Sequence, residues 1–104
     1  MNKRLDVCLK LILPCALEAR LVDLLLQHPK WVGPFLTHRV ASHGDPDAIE
    51  SQAEQVRGRA ERVQIEILME SSHVDALLQE LRSELPNREV LWWRLPVTDT
   101  GSLA

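Results

Sequence analysis

A chain of 104 residues with 45% hydrophobic and 26% charged side chains has the composition of one ordinary folded domain, which excludes a disordered or fibrous chain. A formal net charge of −3, with Lys and Arg scattered rather than gathered, excludes nucleic acid as a first partner. No apolar run approaches the roughly twenty residues of a membrane span, so no direct membrane insertion is expected and the default location is the cytoplasm.

The first element is "RLDVCLKLIL", in which Leu5, Val7, Leu9 and Leu11 alternate with Arg4, Asp6, Cys8 and Lys10. This is a strand with one apolar face. Asp6 and Lys10 break the apolar run, so a secretory leader is not expected. Cys8 and Cys15 make no C-x-x-C pair and are expected as free thiols. Pro14 suits the first turn of a helix, and Leu17, Leu21, Leu24, Leu25 and His28 recur at helical spacing. "HPKWVGP" should end that helix.

"FLTHRV" reads as a second strand. A polar stretch follows, and a flexible loop is expected over about 42–61, because so few large apolar side chains cannot offset the cost of ordering the backbone. "RVQIEILM" is the third strand, with Val63, Ile65, Ile67 and Met69 on one side and Gln64 and Glu66 on the other. "SSHVDALLQELRSEL" is a helix, with Ser72 and Asp75 resembling a capping box and Val74, Leu77, Leu78, Leu81 and Leu85 forming the buried stripe. "VLWWRLPV" is the fourth strand, ended by Pro96. Trp92 and Trp93, being adjacent, should face opposite ways, one under the helices and one on the open face.

The halves resemble each other, "LILPCALEARLVDLLLQHP" against "IEILMESSHVDALLQELRSELP". Two βαβ units of this size predict a single α+β domain, a ferredoxin-like βαββαβ sandwich with a four-stranded antiparallel sheet and both helices on one face. The open face would carry Asp6, Cys8, Lys10, Gln64, Glu66 and one tryptophan. Such a mixture suits a contact between copies.

At this point the residues resemble a known group. A double βαβ unit with a long polar loop between its second and third strands is similar to the PII-like superfamily of trimeric cytosolic signalling proteins. "LILPCALEARLVDLLL", His43-Gly44, "EQVRGR" at 54–59 and "WWRLPVTDTGSL" resemble, more narrowly, a family of unknown function often found beside heavy-metal efflux systems. The resemblance implies a homotrimer, ligand clefts between subunits, a loop whose shape reports the ligand, and an efflux pump in the membrane as partner. It also shows departures. PII proteins bind adenine nucleotides partly through a glycine- and lysine-rich turn after the third strand, and "MESSHVD" has neither residue. The tyrosine modified in the PII loop has no counterpart in a chain without tyrosine.

Two clusters carry candidate chemistry. "EQVRGRAER" places Arg57, Arg59 and Arg62 around Gly58, where guanidinium groups beside a backbone free to turn suit an anionic ligand. The plainer alternative is a loop anchor with solvated arginines. "THRVASHGDPD" gathers His38, His43, Asp45 and Asp47, donors suited to a divalent transition metal, though at no established spacing. The plainer alternative there is a soluble loop. "SSH" offers backbone N–H groups to an anion or simply caps its helix, and capping suffices. Nucleophile, metalloprotease and phosphate-loop motifs are missing, so no enzyme is expected. The reading is a PII-like trimeric sensor that binds a small effector or metal near its loop. A metal-binding accessory protein that buffers or delivers cations, and a plain oligomerisation module, are the alternatives.

Overall fold

The computed structural model describes residues 4–44 and 59–104. Four strands, β1 (Val7–Pro14), β2 (Val32–His43), β3 (Arg59–Met69) and β4 (Leu91–Pro96), and two helices, α1 (Glu18–Leu26) and α2 (Val74–Glu84), follow one another as β1-α1-β2-β3-α2-β4. The sheet order is β2-β3-β1-β4, every neighbour antiparallel. This is the expected βαββαβ fold.

Alternation explains the core. Val7, Leu9, Leu11 and Leu13 of β1 and Val63, Ile65, Ile67 and Met69 of β3 are all buried. They meet Leu21, Leu24 and Leu25 of α1 and Val74, Leu77, Leu78 and Leu81 of α2. Each helix presents leucines three or four residues apart, which is one helical face. Arg20 of α1 also donates to the Glu84 carbonyl at 2.6 Å, satisfying an orphan acceptor at the end of α2.

Three boundaries differ from expectation, each for a local reason. Pro14 does not open the helix: it is extended (φ −58°, ψ 142°) and closes β1, and a 3₁₀ turn over Cys15–Leu17 precedes α1. A strand's last residue tolerates proline because it need not donate to the ladder. The stretch expected only to break the chain already belongs to β2, which starts at Val32 and is bulged between Val32 and Phe35. An edge strand admits a bulge and Pro34. Gly33 sits within that bulge, and a Cβ there would stand 2.1 Å from the Leu68 carbonyl oxygen. Finally, β2 and β3 run into the expected loop at both ends, to His43 and from Arg59.

Candidate functional site

β1 ends where Pro14 lies opposite Arg62, but β2 and β3 stay paired past it, residues 41–43 against 59–61. The two strands thus form an arm that projects beyond the body of the sheet. The loop sequence begins and ends at its tip. Arg62 sits at the base of the arm, opposite Pro14 and Val40, and is only 3% exposed. A buried guanidinium needs acceptors, and its Nη1 donates to the Glu61 carbonyl at 2.9 Å. On the helix-facing side of the same base, Arg39 points a guanidinium nitrogen at Cys15 Sγ, 3.7 Å away. The base of the arm therefore carries a guanidinium on each face, although Arg39 was not among the residues singled out from sequence. Of the predicted anion cluster, Arg59 pairs with His43 at the arm, whereas Arg57 and Gly58 lie outside the described residues.

The predicted metal cluster is divided by strand geometry. His38 and His43 are five residues apart on a regular stretch of β2, and an odd spacing sends their side chains to opposite faces. Asp45 and Asp47 lie outside the described residues. Among the described residues no group of three or more His, Cys, Asp and Glu is placed to hold a metal ion.

His38 instead joins a polar cluster on the face away from the helices. Glu66 Oε1 accepts from Gln64 Nε2 at 2.8 Å, with Lys10 Nζ and His38 Nε2 each at 3.8 Å. β1 supplies the lysine, β2 the histidine and β3 the carboxylate. Cys8 is half-buried beside them, and burial, reinforced by the charge of Glu66, raises its thiol pKa. Around this cluster the same face exposes Leu36 of β2 and Leu91, Trp93 and Leu95 of β4. The tryptophans divide as expected: Trp93 lies opposite Lys10 on this face and Trp92 opposite Leu11 on the other. Trp92 is not enclosed under the helices, however. β4 is an edge strand whose six residues are all exposed, and Trp92 lines the flank of the sandwich.

The turn after β3 is capped in a way the sequence concealed. Residues Ser71–His73 form a 3₁₀ turn before α2, without a side-chain cap from the residues at its start. Asp6 supplies the cap from the beginning of β1: its carboxylate accepts from the Ser71 N–H at 2.8 Å and from Ser71 Oγ at 3.1 Å. The expected capping box of Ser72 and Asp75 is therefore replaced, and Asp6 turns towards the helix rather than lying on the open face. The Ser71 N–H holds the Asp6 carboxyl below its ordinary range, the dominant effect on it. A helix start of a kind that can receive an external anion is thus occupied by an internal one. Asp75 is free of capping and lies 3.4 Å from Arg94 of β4.

This fold, with a two-stranded arm raised between its halves, is the PII-like variant of the ferredoxin-like sandwich. Residues 4–104 match the family model described as "Protein of unknown function (DUF3240)", and the chain belongs to that family. A DUF3240 protein from Shewanella baltica is similar over 97% of this chain and 99% of its own, at TM-score 0.76 and 19% identity. CPII, a nitrogen regulatory PII-like protein from Thiomonas intermedia K12 bound to ADP, AMP and bicarbonate, matches over 94% and 96% at TM-score 0.69 and 14% identity. GlnK from B. subtilis matches over 90% and 86% at TM-score 0.65 and 17% identity. Among curated proteins none matches. Among the described residues no helix is long and apolar enough to cross a membrane.

Proposed function

We propose that this protein is a PII-like regulator, assembled as a trimer through the open face of its sheet, that takes a small anionic effector at the base of the β2–β3 arm. The segment between the two strands would then pass the bound state to a partner protein. The observation that carries this reading is the arm itself, with Arg62 buried at its base and Arg39 on its other side. Charge-assisted hydrogen bonds from guanidinium groups suit carboxylates, bicarbonate and phosphates. That CPII was found with ADP, AMP and bicarbonate supports an anion of this kind.

Asp6 narrows the class. In PII proteins the turn after the third strand contributes to nucleotide binding, and here its Ser71 N–H already donates to the Asp6 carboxylate. A phosphate brought there would meet a negative charge and lose the donor. The reading therefore favours a compact anion held at the arm over a nucleotide held by that turn.

Calorimetry tests it on the purified protein, with its mass measured by light scattering in the same buffer. Bicarbonate, inorganic phosphate, AMP, ADP and zinc are titrated in turn. Binding of an anion that weakens as salt rises, and falls at least about tenfold in Arg62→Gln, is the expected result, the loss of one charged hydrogen bond being worth about 1.5–3 kcal/mol. Heat from zinc alone, or anion binding untouched by Arg62→Gln, overturns it. A monomer at micromolar concentration overturns the assembly.

A further inference from the structure

On the helix-facing side the flank of β4 is incompletely covered. A groove of about 150 Å³ lies between the end of α2 and β4, its apolar wall including Leu21, Leu81, Leu85, Val90 and Trp92, with Arg82 at its edge. Trp92 remains 39% exposed there. The segment that follows β4 has the opposite deficiency. Val97 is tied down by its N–H to the Asp6 carbonyl at 3.0 Å, and every residue from Thr98 onward is exposed. Leu103 is fully exposed, more so than any other large hydrophobic side chain described.

We infer that this segment belongs in the groove of a neighbouring copy, Leu103 filling the apolar space beside Trp92 and Asp99 coming towards Arg82. The inference rests on the proposed assembly and adds to it a second contact. Direction and reach decide against the chain's own groove. β4 runs from the groove, at Trp92, towards Val97, so the following segment leaves pointing away. To return it must reverse, and "TDTG" at 98–101 is turn-forming sequence. A reversal centred on Asp99 and Thr100 sets Leu103 level with Pro96. That is four residues, about 13 Å at roughly 3.3 Å per residue, short of Trp92. A second copy has no such constraint, and within the proposed three-fold assembly a head-to-tail exchange of this kind closes in a ring. Charge agrees, with Asp99 in the segment and Arg82 at the groove, while burial of one leucine side chain and of part of Trp92 supplies the attraction.

Disulfide trapping tests it. Pro86→Cys at the groove and Leu103→Cys are combined in one chain in which Cys8→Ser and Cys15→Ser remove the native thiols. Mild oxidation should give covalent dimers and trimers on a non-reducing gel. An intramolecular disulfide, or no disulfide in protein shown by light scattering to be assembled, overturns the exchange and leaves the open-face assembly standing. A monomeric protein overturns both. Leu103→Ser, which cannot unfold the single chain because that side chain touches little of it, gives an independent readout. It should lower the melting temperature of the assembled protein, and an unchanged melting temperature counts against the exchange.

Discussion

Gly33→Ala is the substitution whose sign and size the structure sets most sharply. On general grounds replacing glycine by alanine stabilises a fold by about 0.4–1 kcal/mol, because the unfolded chain loses freedom. Here the added carbon would sit 2.1 Å from the Leu68 carbonyl oxygen and 3.0 Å from Leu5 Cδ2. The first neighbour is backbone and cannot swing aside. Relief requires β2 to move off β3 by about an ångström at the bulge, which weakens one or two ladder hydrogen bonds worth about 0.5–1.5 kcal/mol each. It also loosens Val32, which is 7% exposed, from the core. The net loss should be about 2–4 kcal/mol. At about 4–8 °C per kcal/mol for a domain of this size, the melting temperature falls by roughly 10–30 °C. Urea titration followed by tryptophan fluorescence, at fixed protomer concentration because association contributes to stability, measures the change. A variant equal to or more stable than the parent would refute the reasoning, since the only remaining effect would then be that on the unfolded chain.

Two further outcomes follow from titrating groups. Hydrogen bonds from Ser71 hold the folded Asp6 carboxyl below its ordinary value of 3.8, so its contribution is present above that value and is lost as pH falls through the lower folded one. Acid titrations of the parent and Asp6→Asn should therefore differ most at neutral pH and converge as pH falls below the lowered folded value, whereas parallel curves would remove Asp6 as a linkage site. Burial and Glu66 raise the thiol of Cys8. In a Cys15→Ser background its alkylation by iodoacetamide should reach half-maximal rate at higher pH in the folded protein than in urea, and coincident midpoints would contradict that environment.

Strand and helix order was legible because each element carries its own period. Leucines at helical spacing and the alternation of Val63, Ile65, Ile67 and Met69 state locally which face will be buried. The edges were less legible. Nothing local distinguishes "LWWRLP" as an edge strand with every residue exposed from a central one, because that depends on the order β2-β3-β1-β4, a property of the whole chain. The same holds for Gly33 and Pro34, which look like chain breakers until the bulge shows them seated on an edge.

The candidate sites divide by the same rule. His38 and His43 are neighbours in sequence, yet an odd spacing on one strand separates them across the sheet. His38, Lys10 and Glu66 are dispersed in sequence, yet register brings them to one oxygen. Asp6 and Ser71 are 65 residues apart and make the helix cap. That last pair changes the chemistry open to the fold. A serine-rich helix start reads in sequence as one that caps itself, with an anion site as the alternative, and only the position of β1 beside it reveals that the chain brings its own carboxylate from elsewhere. With that N–H engaged, the proposed anion is left to the guanidinium groups at the base of the arm, where Arg62 and Arg39 occupy opposite faces of paired strands. Such strands hold a side chain more firmly than a loop does, and a site proposed to report its occupancy to a partner would gain from that rigidity.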